Sequence, residues 1–162
     1  MNHQRHYIVL DAAKMQQHLE VAKQFNPKHL CLFKGEGEQK YGSVSPWLFT
    51  YRKMSYFDDW YISSGGNQNW GVLIETKVKF EKLYFHLKKF TRVKSETGTI
   101  MYFRFYDPRV LPTFLETCDE EQLIEFFGPI DKFILEKDHQ IIQYELIENK
   151  LVQKPCTFLN RD

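Results

Sequence analysis

The chain has 162 residues, 43% of them hydrophobic and 27% charged, enough apolar material for one globular domain with a sizeable core, which excludes a disordered chain. A formal net charge of +1 excludes a global electrostatic pull towards nucleic acid or anionic lipid. Three scattered cysteines, Cys31, Cys118 and Cys156, form no C-x-x-C pair and so argue against a disulfide framework or a structural zinc site.

Taken in chain order, Tyr7 to Leu10 reads as a short buried strand, and Asp11 is placed to cap the helix that follows. Met15, Leu19, Ala22 and Phe25 recur at helical spacing until Asn26-Pro27 stops them. His29 to Phe33 is a second apolar strand. If it pairs with the first, the two should run parallel with a right-handed crossover. "KGEGEQKYGSVSP" (Lys34 to Pro46) is the most loop-like segment and lacks the Gly-x-x-x-x-Gly-Lys pattern that cradles phosphate. "WLFTYR" fits a strand or a packed irregular segment, and "MSYFDDWYI" fits a short helix ended by Gly65-Gly66.

Gly71 to Thr76 is a buried strand. In the segment after it, Phe80, Leu83, Tyr84, Leu87 and Phe90 line one face of an amphipathic helix with lysines outside. A hairpin follows, turning at Glu96-Thr97-Gly98, with "MYFRFYDPRVL" (Met101 to Leu111) on its second strand. Period-two alternation there predicts Phe103, Phe105 and Asp107 on one face and Arg104 between Tyr102 and Tyr106 on the other. The tyrosine rings would bracket the guanidinium, and a carboxylate would complete its fork of donors. Asp107-Pro108 predicts a change from strand to turn or helix, with the helix beginning at Pro108 or, because Pro112 cannot donate inside it, at Pro112. Asp119 and Gln122 have capping-box spacing, and Gly128-Pro129 ends that helix. The tail contains two or three strand-like runs with turns at Lys137-Asp138 and Glu148-Asn149. These elements predict a single α/β domain, a mixed β-sheet with packed helices: an α/β body over residues 1–130 and a short strand-rich extension over 131–162 packed on the same domain.

Phe, Tyr and Trp make up 16% of the chain, more than a core of this size needs, which predicts an exposed aromatic patch where a partner docks. Charge is uneven. Lys77, Lys79, Lys82, Lys88, Lys89, Arg92 and Lys94 face the single acid Glu81 within their span, whereas ten acids stand against Lys132 and Lys137 between Glu116 and Glu148. Either run serves as a solvated helical face or as a charged docking surface.

The six histidines show no metal-ligand spacing, and neither a Gly-x-Ser-x-Gly elbow nor a cysteine nucleophile signature is present, so no metal, cofactor or catalytic residue is expected. Arg104, Asp107 and Arg109 form the strongest polar constellation. Neither arginine accepts a proton, and Asp107 sits where capping explains it. A structural role follows, in which an arginine ties the turn to a neighbouring strand through charge-assisted hydrogen bonds.

"FRFYDPRVL", with "EEQLIEFFGPI" after it and "YIVLDAA", "SPWLF" and "WGVLIETKVKFEKLYFHLKKF" before it, resembles the adaptor or chaperone domain of bacterial type VI secretion effectors over Tyr7 to Ile130. Residues matching that signature are Asp11, Arg104, Tyr106, Asp107, Pro108, Arg109 and Gly128-Pro129. The resemblance implies a non-enzymatic cytoplasmic protein whose partners are a cognate toxic effector and the VgrG spike, with no nucleic acid and no membrane. Arg104, Tyr106, Asp107 and Arg109 would be partner-binding or structural residues. Many members have a long variable lobe after the Gly-Pro step, whereas 34 residues follow Gly128 here, which would place partner choice in the first lobe. The alternatives are a nucleic-acid binder using the Lys77 to Lys94 face and an enzyme whose site assembles from distant positions.

Overall fold

The computed structural model describes residues 3–33 and 42–160; most of the expected glycine-rich connection from Lys34 to Pro46 lies outside them. The order of elements is β1 (Arg5–Asp11), α1 (Ala12–Met15), α2 (His18–Phe25), β2 (His29–Cys31), β3 (Pro46–Tyr51), α3 (Tyr56–Gly65), β4 (Gly71–Thr76), α4 (Phe80–Lys88), β5 (Arg92–Lys94), β6 (Ile100–Tyr102), α5 (Leu111–Thr117), α6 (Glu120–Phe127), β7 (Ile130–Lys137), β8 (Gln140–Ile147) and β9 (Lys150–Pro155).

The apolar runs in β1 and β4 exist because both faces of the sheet are covered. Tyr7 and Val9 enter one cluster with Leu83 and Leu87 of α4, Leu115 of α5 and Phe126 of α6. Ile8 and Leu10 enter the other with Met15, Leu19, Ala22 and Phe57 from α1, α2 and α3. The result is three layers, helix, sheet and helix, and each central strand must be apolar on both sides. The expected α/β domain with helices packed on a sheet is thus the fold observed.

Strand order in the main sheet is β2-β3-β1-β4-β7-β8-β9, and every pairing is antiparallel. The first two strands therefore do not pair: β3 lies between them, antiparallel to both. The apolar pattern specified burial, but the neighbour was decided by a strand that returns later in the chain.

The helix expected from Asp11 to Phe25 is broken at Gln16, whose φ is 52°, and resumes at His18. The break buries Ala12 and Met15 together with Leu19 and Ala22. β7, β8 and β9 form a meander on the β4 edge. Both of its two-residue turns, Asp138-His139 and Glu148-Asn149, have positive φ at each residue, as hairpin turns that match strand twist require. The first lies one residue beyond the expected turn.

Two glycines are dictated by space. A Cβ on Gly71 would overlap the carbonyl oxygen of Val9 across the β1–β4 ladder. Gly128 caps α6 with φ +49°, and its missing side chain makes room for the ring of His86, which bonds to the Phe126 carbonyl at 2.7 Å.

Candidate functional site

Asp11 closes β1 and is 1% exposed. Its backbone N–H donates to the Trp70 carbonyl at 2.8 Å, and its Oδ1 accepts from the Ala13 N–H at 3.0 Å, which caps α1 as expected. Its other oxygen accepts from Arg104 Nη2, a residue 93 positions away. Asp11 thereby ties the end of a central strand to the connection between the β5–β6 hairpin and α5.

That connection is a turn. The Asp107 N–H donates to the Arg104 carbonyl at 3.0 Å, and the Asp107 carbonyl accepts from the N–H groups of Val110 and Leu111 at 2.9 and 3.0 Å. The Asp107 side chain is gripped by the residue two places on. Its Oδ1 accepts from the Arg109 N–H at 2.9 Å and from Nε at 3.0 Å, and its Oδ2 accepts from Nη2 at 2.8 Å. Arg104 Nη2 stands 3.7 Å from the same oxygen. Two buried carboxylates thus meet two guanidinium groups in a forked, charge-assisted arrangement.

The electrostatics follow from this geometry. Burial pushes the Asp107 carboxyl up, but the hydrogen bonds from Arg109 and the charges of Arg109 and Arg104 outweigh it and hold the group below the usual carboxylate range. Arg104 loses some basicity to burial and regains more from its bond to Asp11. Burial, then the charge of Asp11, pushes the Tyr106 hydroxyl up. The charged forms of the arginines and of Asp107 and the neutral form of Tyr106 are all favoured at pH 7, so the cluster balances its own charge.

The structure brings Arg104, Asp107 and Arg109 together and adds Asp11. It corrects the placement of Arg104. β6 ends at Tyr102, one further ladder bond runs from the Phe103 N–H to Thr91, and the strand alternation then stops. Phe105 and Tyr106 form the centre of the turn and are both buried, because a turn can send consecutive residues to the same side. Tyr102 lies beneath Arg92 and beside Phe33. The helix begins at Leu111 with Pro112 in its first turn, the second of the two expected starts. The Asp11–Arg104 bond had no local signal in the sequence.

Arg109 is 52% exposed along its side chain and stands at the rim of a cleft of about 470 Å³. Trp70 and Gly71, Pro112 and the β7–β8 turn form its walls. Their charges are mixed: Arg109 and Lys137 lie among Glu136 and Asp138. Glu136 also accepts from the Asn67 N–H at 3.0 Å. Among the described residues no group of three or more His, Cys, Asp or Glu side chains is arranged to hold a metal ion, and no helix is long and apolar enough to cross a membrane.

The aromatic side chains are mostly internal. Among the described residues only Phe25, Tyr56, Phe85 and Tyr102 are exposed, so the expected aromatic surplus is largely core.

A three-layer α/β domain with a self-neutralised arginine–carboxylate pin at one end of its sheet is the class the geometry defines. The chain belongs to the family described as Domain of unknown function (DUF4123), whose model matches residues 6–125; that family is associated with type VI secretion effector adaptors. The match runs from β1 into α6 and stops before β7. No curated protein and no solved structure matches the chain.

Proposed function

We propose that this protein is a non-enzymatic cytoplasmic adaptor that binds a cognate type VI effector and helps to load it on the VgrG spike. Membership of an adaptor-associated family over residues 6–125 carries the reading. The chemistry of the pin supports it. A carboxylate held below its usual pKa by two arginines is a poor proton acceptor at neutral pH, and Tyr106 keeps its proton. The four side chains satisfy one another and hold β1, the hairpin and α5 in fixed relation, which suits a scaffold that presents a binding surface.

Co-expression with each candidate type VI toxin of the same genome, followed by affinity purification of the tagged adaptor, tests the role. One toxin is expected to co-purify in a fixed ratio and to accumulate in soluble form. Toxins that are all soluble alone and never co-purify would contradict the adaptor role.

A further inference from the structure

The basic run that the pin does not use extends from Lys77, just before α4, through α4 to the β5–β6 hairpin. None of the seven cations from Lys77 to Lys94 forms an ion pair among the described residues. Glu81, the one acid within the run, is drawn off to Lys28 at 3.5 Å. In a molecule of net charge +1 this is a local excess of positive charge without internal compensation. Apolar side chains are interleaved with it: Val93 is 41% exposed, Ile100 64% and Met101 48%.

The hairpin is also a separate two-stranded sheet. The Phe103 to Thr91 and Ser95 to Thr99 bonds assign the bonded register to Thr91, Val93 and Ser95, so the backbone groups of Arg92 and Lys94 point outward along β5. No third strand pairs there among the described residues. An open edge with exposed apolar neighbours is the geometry that accepts an added strand.

We infer that the β5–β6 hairpin, with the end of α4, docks an acidic, apolar segment of a partner protein in extended form, the partner being the effector if the adaptor reading holds. Carboxylates of the segment would meet Arg92 and Lys94 on one face of the hairpin, with Lys88 and Lys89 next to them in the chain, and its alternate, apolar residues would cover Val93 and Met101 on the other face. This composition favours a peptide over nucleic acid: of the exposed aromatics Phe85 and Tyr102, Tyr102 is already packed against Phe33 and Arg92, and the other exposed apolar side chains of the hairpin are aliphatic, whereas a single-strand platform depends on stacked aromatics.

The test uses the full chain and fluorescently labelled probes: a short peptide alternating glutamate and valine, its lysine–valine and glutamate–serine counterparts, and oligothymidylate. Anisotropy titrations should show the glutamate–valine peptide binding most tightly. Binding should weaken about tenfold or more in Arg92→Glu/Lys94→Glu and in Val93→Ser/Met101→Ser, both with wild-type melting. Equal binding of all peptides, equal binding by both variants, or tighter binding of oligothymidylate overturns the proposal, and the ranking of the probes on the wild-type protein is decisive even if a variant misfolds. Co-purification of the same variants with the effector separates this proposal from the adaptor role. If the wild type and both variants all retain the effector, the hairpin is the wrong surface and the role stands. If the wild type fails to retain it while the peptide ranking holds, the surface stands and the role falls.

Discussion

The arginine–carboxylate pin and the α4–hairpin surface are both rich in cations, and they differ in whether those cations are compensated. At the pin, Arg104 and Arg109 meet two carboxylates that are 1% exposed, so each charge already has an internal partner. On the hairpin, Arg92 and Lys94 are exposed beside Val93 and Ile100 and meet no acid among the described residues. Compensated charge of the first kind holds the fold together, and loss of one partner leaves a buried ion. Uncompensated charge of the second kind adds almost nothing to the fold and remains available to a partner.

The largest break in this comparison should come from Arg104→Ala. It strips a buried oxygen of Asp11 of its donor and should cost about 1–3 kcal/mol of stability by chemical denaturation. A double-mutant cycle with Asp11→Ala should recover part of that cost, since the unpaired carboxylate disappears with it. Arg109→Ala comes next. Its place on an outward turn fits a contact residue whose loss would leave melting nearly unchanged. Its three bonds to Asp107, two of them from the side chain, predict a loss of about 1–2 kcal/mol instead. The Asp107 carboxyl should also titrate at higher pH in this variant, measurable by NMR.

Acid should act on the pin in the same direction. Because the folded state holds Asp107 below its ordinary value, its stabilising contribution is present above the unfolded carboxyl pKa of about 3.9 and disappears as pH falls through the lower folded value. Wild type and Asp107→Asn should therefore differ most in stability above about pH 4 and converge below it; a constant gap across that range would mean that the carboxylate's charge is irrelevant. The smallest stability effect belongs to the hairpin. Arg92→Glu/Lys94→Glu should change stability by no more than about 0.5 kcal/mol, and a loss comparable to that of Arg104→Ala would show that the hairpin cations are structural after all.

Local chemistry was readable in the sequence wherever it acts over a few residues. Asp11 as a cap, the Asp119–Gln122 capping box, the Gly128 stop and the face of α4 from Phe80 to Leu87 all appear as their spacing predicts. What depends on distant partners was not readable. β3 enters between β1 and β2 through an antiparallel register that no local pattern encodes, and Arg104 finds Asp11 across 93 residues. The turn at Phe105-Tyr106 was hidden by its own residues: aromatics favour strands, so the alternation looked unbroken when tertiary burial had already ended it. The polar character of the site could be seen in Arg104, Asp107 and Arg109, but its closure by Asp11 required the fold.

The central claim, that this chain serves a particular type VI effector, is tested most directly by secretion of that effector from cells lacking this gene. The expected result is that the effector that co-purifies with this protein is no longer exported, that other effectors of the same apparatus still are, and that the wild-type gene restores export. Unchanged export of that effector in the deletion strain would contradict the claim.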